Sequence, residues 1–266
     1  VTHSTPPVSN RLSGAPTALA DDNWGLAPDS SRELGKMVRP EDLSVVFQPI
    51  VVMETGTVRA YEALVRCQVP EYQNPVFLFE QAVAAGCAGR LGRMVREIAV
   101  PLCSGRPLFL NVHPQELTES WLVRPDDPVF SHDHDLYIEI TESVPITHFD
   151  LCQSVLAEVR SRGGVQLVVD DLGAGYSNLK RIVDLTPRVV KLDRDLIAGL
   201  DASARQQRLV RRLVKLCDEL EAEVVAEGVE TPAEYSALLD AGVRFAQGFW
   251  FARPAFPLPE VPWPPR

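Results

Sequence analysis

Six oxygen-donor side chains, Glu62, Asn111, Glu139, Asp170, Asp171 and Glu227, each stand at or near the end of a short apolar run. Lys191 and Asp193 end another such run, Glu142 and Glu230 each follow a donor by three positions, and Gln247 lies in the last run. One acidic residue at a strand end usually caps a helix or sits in solvent. Donors on nearly every consecutive run are not explained by capping. If they converge, so much negative charge is unfavourable without cations. Oxygen-only ligands suit the hard ions Mg²⁺ or Mn²⁺, with Ca²⁺ as a competitor, and no His or Cys sits among them to favour Zn²⁺. Six donors exceed what one Mg²⁺ takes from protein. They suit two ions roughly 3.5–4 Å apart, clamping an in-line phosphoryl displacement with water as nucleophile. Asp170 is the expected bridge between them.

Convergence requires a fold in which the runs end on one face. Eight runs have strand character: Val45–Ile50, Val58–Leu64, Leu108–Val112, Leu136–Ile140, Gln166–Asp171, Val189–Asp193, Glu223–Val229 and Phe245–Trp250. From the second onward most gaps are long enough for a helix. Leu91, Met94, Val95 and Ile98 follow helical spacing, as do Leu209, Leu213, Leu216 and Leu220. This alternation predicts parallel strands with crossover helices. The first two runs are separated only by a short stretch containing Glu54-Thr55-Gly56, which predicts a hairpin. The expected fold is therefore an α/β, TIM-like (β/α)₈ barrel with its first strand antiparallel. In such a barrel the parallel strands finish on the face where active sites are built.

The 266 residues carry a net charge of −10, which argues against a polymeric nucleic acid as partner. No apolar run reaches the length of a membrane span. The opening residues lack a basic stretch followed by an apolar one, so no secretory leader is expected. Five cysteines, an odd number without a Cys-x-x-Cys pair, predict reduced thiols and a cytoplasmic setting. Composition divides the chain into a flexible extension over 1–39, one continuous domain over 40–256 and a Pro-rich tail over 257–266.

The ordered motifs FQPI, YEALVR, NVHP, IEITES, DDLGAGYSNL, VVKLD, AEGVET and QGFWFARP, spread from Asp42 to Pro254, resemble the EAL-domain family of cyclic di-GMP phosphodiesterases. The resemblance implies an enzyme that opens cyclic di-GMP to linear pGpG, using two divalent cations, Mg²⁺ or Mn²⁺, to activate water. It implies metal ligation by Glu62, Asn111, Glu139, Asp170, Asp171 and Glu227. Lys191 would lie near the attacking water, and Glu227 would add general-base work. Gln48, Leu64, Arg66 and Gln247 would contact substrate. Glu142 and Glu230 would stabilise the loop after strand five, and a homodimer is implied. The chain departs from the family's usual residues at Leu172 and Ala174, but no ligand is lost.

Other features are read more plainly. Ser131-His-Asp-His-Asp is expected to be a solvated loop, His113 a structural group, and Arg205, Arg208, Arg211 and Arg212 a solvated helix face. Two alternatives stay open. A silent relative would bind cyclic di-GMP without cutting it. An unrelated divalent-metal barrel would show no nucleotide preference.

Overall fold

The computed structural model describes residues 30–119, 121–141, 149–173 and 179–263. Eight strands close a barrel in sequential order: β1 Leu43–Val52, β2 Val58–Cys67, β3 Leu108–Asn111, β4 Leu136–Thr141, β5 Gln166–Leu172, β6 Val189–Leu192, β7 Glu223–Ala226 and β8 Phe245–Ala246. β1 is antiparallel to both its neighbours, β2 and β8, and all other pairs are parallel. The reversal comes from the expected hairpin. Val52 N donates to Thr57 O, Gly56 N donates to Val52 O, and Gly56 takes the positive φ of 69° that the tight turn requires.

The described α-helices are α1 Ser30–Met37, α2 Pro75–Ala84, α3 Ala88–Leu102, α4 Phe149–Gly163, α5 Lys180–Leu185, α6 Arg194–Ile197, α7 Ala204–Glu219 and α8 Pro232–Asp240, and short 3-10 turns join some of the elements. None of them is long and apolar enough to cross a membrane. In α3 the predicted stripe holds, with Leu91, Met94 and Val95 buried and Ile98 packed against them. In α7 the stripe is displaced by one position. Val210 and Cys217 are buried and Leu213 and Val214 pack beside them, while Leu209 and Leu220 are exposed. Residues 210, 213, 214 and 217 also follow a helical spacing and share Leu213 with the leucine stripe, so periodicity alone does not choose between the two overlapping faces.

Ahead of β1, α1 is helical, and its Leu34, with Val38 just beyond, is buried in the core. In the Pro-rich tail Leu258 packs on the core, Pro259 O accepts from the Tyr61 hydroxyl, and the Trp263 ring lies against Gly56. Leu258 and Trp263 each stand between two prolines, so they leave no periodic signal.

Inside the barrel one apolar layer contains Ile50, Ala60, Phe109, Tyr137, Val168, Val189, Val225 and Phe245, one residue from each strand. This layer sets the site. Side chains on a strand alternate faces, so the residue two positions further on points the same way. Two positions toward the mouth (backward on β1, forward on the others) stand Gln48, Glu62, Asn111, Glu139, Asp170, Lys191, Glu227 and Gln247. The barrel is filled with apolar side chains at one level and floored with polar ones at the next.

Candidate active site

The ladders hold this polar floor in register. Gln48 pairs with Glu62 across β1 and β2, and Asn111 with Glu139 across β3 and β4. Glu227 and Gln247 lie just beyond their strands, but Glu227 N still donates to Leu192 O and Gln247 N to Ala226 O.

Lys191 is the centre of the floor. Its Nζ lies 2.6 Å from Glu227 Oε1, 2.8 Å from Glu139 Oε1, 3.4 Å from Asp170 Oδ1 and 3.5 Å from Glu62 Oε2. The Lys191 side chain is 1% exposed. Around it, Glu62 accepts from Asn111 Nδ2 at 2.8 Å and from Gln247 Nε2 at 2.6 Å. Gln247 Nε2 also reaches Gln48 Oε1 at 2.9 Å, and Gln48 Nε2 donates to Ala252 O at 3.2 Å.

Four carboxylates around one ammonium leave an excess of negative charge away from water. Burial raises Asp170 to about 6; Lys191 pulls it back, and the charges of Asp171 and Glu62 push it up again. Burial likewise raises Glu139 and Glu227 well above the ordinary carboxylate range, against the opposing pull of Lys191. Glu62 is the exception. Burial pushes it up, but Lys191 and the hydrogen bonds from Gln247 and Asn111 outweigh that, and it lies below its usual value. Desolvation opposes the charge on Lys191, yet Asp170, Glu139, Glu227 and Glu62 together raise it well above its normal value.

Asp171 should point away from Asp170, because neighbouring strand residues face opposite sides. A break in register between Val169 and Leu172 changes this, and Asp171 has a φ of 60°. The irregularity acts as a bulge that re-aims a side chain at the strand end. As a result Asp170, Asp171 and Glu227 each offer a carboxylate oxygen within 4.8 Å of the other two. Glu139 Oε2, buried nearby, has no hydrogen-bond partner among the described residues. Closely spaced oxygens and a buried orphan acceptor fit a hard divalent cation, which these residues would hold with Glu62 and Asn111 alongside.

A cleft of about 240 Å³ opens beside the floor. Gln48, Leu64 and Gln247, expected to contact substrate, line it together with Glu62 and Glu227. Arg66 lies on the same face of β2 but outside the cleft lining, with Nη1 donating to Val65 O at 2.8 Å. Glu230 also lines the cleft; its carboxylate pairs with Arg194 at 3.0 Å. Glu142 lies outside the described residues. Arg194 and Phe249 line the cleft as well, and sequence reasoning did not single them out. Their signal was position, since Arg194 opens the turn after β6 and Phe249 follows Gln247-Gly248. His113 is structural: its Nδ1 accepts from Gln115 N and its ring stacks on Phe79. The 131–135 loop contributes nothing to the site; His132 bonds Arg106 O, and Asp133 accepts from Ser104 and Gly105.

Gly248 ties the two sides of the mouth together. A Cβ there would lie 2.1 Å from Val229 O, which already accepts from Trp250 N, while Val229 N donates to Gln247 O. That backbone cannot move without losing both bonds. Gly248→Ala is therefore expected to destabilise the chain by about 1–3 kcal/mol, as overpacking does. It should also weaken Mn²⁺ binding by shifting Gln247 away from Glu62. Urea denaturation and Mn²⁺ titration check both effects.

Residues 31–254 match the EAL domain family. The chain is 31% identical over 234 residues to cyclic di-GMP phosphodiesterase PdeR of Escherichia coli K12, covering 83% of this chain and 35% of that protein. It is 30% identical over 233 residues to an uncharacterized protein of Azorhizobium caulinodans, covering 81% of this chain and 32% of the other. The chain thus spans about a third of the length of these curated relatives. Among solved structures, Klebsiella pneumoniae BlrP1 in complex with manganese and cyclic di-GMP superposes with a TM-score of 0.70 at 32% identity, covering 80% of this chain and 56% of that one. An EAL domain protein from Listeria monocytogenes EGD-e gives a TM-score of 0.72 at 28% identity, covering 85% and 93%. With its antiparallel first strand, its polar floor and a family match over most of its length, the chain belongs to the EAL domain family.

Proposed function

We propose that this chain is a phosphodiesterase that hydrolyses cyclic di-GMP to linear pGpG with two divalent cations, Mg²⁺ or Mn²⁺. The observation that carries the reading is the clustering of Asp170, Asp171 and Glu227 within 4.8 Å beside a buried Lys191. Relatives named as cyclic di-GMP phosphodiesterases, and BlrP1 holding manganese with cyclic di-GMP, support the choice of substrate and metal.

Glu62, Asn111, Glu139, Asp170, Asp171 and Glu227 would hold the cations. When bound, these ions lower the pKa of an attacking water and offset charge on the phosphate. The chain's own groups do the rest. Lys191 orients the water and faces the charge that develops on the phosphoryl oxygens. Glu227 is placed to accept the water's proton. Gln48, Leu64 and Gln247 form the wall against which the nucleotide lies. One water adds across one P–O3′ bond, so the product is a linear dinucleotide. We also propose that the chain works as a homodimer, as the family resemblance implies, and in the cytoplasm, as its unpaired cysteines suggest.

The test is incubation of the purified chain with cyclic di-GMP and Mn²⁺ or Mg²⁺, with product followed by mass. Gain of one water, stopped by EDTA and absent in Asp170→Asn, is the expected result. Tight binding without turnover under either cation would make the chain a sensor. Neither binding nor turnover would remove the nucleotide from the reading altogether.

A further inference from the structure

The two strands that supply the closest carboxylates, β5 and β7, flank β6, and α6 follows β6 directly. Two side chains of this four-residue helix touch the backbone just beyond each carboxylate. On the β7 side, the stem of Arg194 lies over Gly228, the residue after Glu227; a Cβ at Gly228 would meet Arg194 Cγ at 2.6 Å. Its guanidinium pairs with Glu230 at 3.0 Å. On the β5 side, Leu196 lies over Gly173, two residues after Asp171; a Cβ there would meet Leu196 Cγ and Cδ1 at 2.5 Å. Both glycines have positive φ, 68° and 113°, so each contact is made to a turn that a larger residue would strain.

α6 itself is anchored at both ends. Asp193 caps it, accepting from Asp195 N at 2.8 Å. Gln206 of α7 donates to Leu196 O at 2.8 Å and to Ala198 O at 3.2 Å, and Ile197 is fully buried. A short element fixed in this way and touching two turns sets the distance between them.

We propose that α6 is a strut that positions Asp171 and Glu227 for a shared cation, with Arg194 and Leu196 as its two contact points. Glu230 acts on the turn after β5 through this strut: its carboxylate holds Arg194, and Leu196 at the other end of α6 holds Gly173. The strut rests on the metal-dependent reading above. Arg194 and Leu196 are positioning residues, because they support turns that carry ligands and supply no ligand themselves.

The test uses the full chain and the metal alone. Mn²⁺ affinity is measured by the loss of free-ion EPR signal and by calorimetry for wild type, Arg194→Ala, Arg194→Lys, Leu196→Ala, Glu230→Ala and the pair Arg194→Ala with Glu230→Ala. Thermal melts monitor folding. Arg194→Ala and Leu196→Ala are each expected to weaken Mn²⁺ by about tenfold or more, as loss of groups supporting metal ligands does. Arg194→Lys should recover part of the affinity, and adding Glu230→Ala to Arg194→Ala should cost little more. At saturating Mn²⁺, kcat of Leu196→Ala, which lies outside the cleft lining, should return to near the wild-type value. Unchanged Mn²⁺ affinity with a raised KM for cyclic di-GMP would overturn the strut and make Arg194 a substrate contact. Additive losses for Arg194→Ala and Glu230→Ala would overturn the coupling. Failure of the unaltered chain to bind Mn²⁺ would overturn the metal reading itself, and the strut with it.

Discussion

Exchanging Lys191 for Met is expected to lower turnover by about a hundred- to a thousandfold, as loss of one preorganised electrostatic group at a reacting centre does. It should also destabilise the metal-free protein by about 3–5 kcal/mol near neutral pH, the cost of removing one partner from a buried ion cluster. Lys191 is the cation that Glu62, Glu139, Asp170 and Glu227 share, all within 3.5 Å. Met fills a similar volume without the charge, so packing against the barrel is kept and the electrostatic loss is isolated. The vacated carboxylates can respond in two ways. They can take up protons, so the variant should regain stability as pH is lowered. They can also be neutralised by cations, so Mn²⁺ should restore part of the lost stability and little of the activity. Chemical denaturation in EDTA and in Mn²⁺, together with a turnover assay, measures all three quantities. A variant with wild-type stability in EDTA would show that the ammonium does not hold the floor together.

The second large effect is a pH dependence of the metal-free protein. Burial raises Asp170 from its ordinary 3.8 to about 6. A raised folded-state pKa means that the folded protein binds the proton more tightly than the unfolded chain. Its contribution is therefore present in full below about pH 4 and is lost as pH rises through about 6. A shift of this size corresponds to about 3 kcal/mol. Glu139 and Glu227 are raised in the same sense and add to the fall. Glu62 is lowered, so its smaller contribution runs the other way, present at neutral pH and lost on acidification. Asp170→Asn isolates the part that belongs to Asp170. In EDTA the variant should gain on the wild type by up to about 3 kcal/mol between pH 4 and pH 8, while losing Mn²⁺ binding. The wild type should lose the disadvantage when Mn²⁺ is added, because the cation favours the ionised carboxylates. Denaturation curves at several pH values, with and without Mn²⁺, decide the matter. A difference between the two proteins that does not change with pH would refute the assignment of Asp170 as the titrating group.

The sign of this effect bears on why the site is built as it is. A floor of buried carboxylates costs stability in the absence of cations, and the fold tolerates it because Lys191 sits among them. The barrel places that floor on a layer of tightly packed apolar residues, so neither the carboxylates nor the lysine can relax by moving into the interior.

Much of this was open to reading from the residues in order. Eight apolar runs, seven of them with a polar residue toward the end, were enough to expect the barrel, its reversed first strand and several of the side chains that face its mouth. The physical reason is local: alternation along a strand is a property of neighbouring residues, and it fixes which side chains share a face. Three things were decided only by the tertiary structure. Asp171 joins Asp170 because a bulge with positive φ overrides alternation, and nothing in the pair Asp-Asp announces a bulge. The buried face of α7 runs through Val210, Leu213 and Cys217 and leaves Leu209 exposed, because two helical stripes that share Leu213 compete and contact with the sheet selects one. Arg194 and Leu196 acquire a role only when β6 lies between β5 and β7, since their partners Gly228, Glu230 and Gly173 are distant in the chain. Periodicity reports which way a side chain points, and only the closed sheet reports what it meets there.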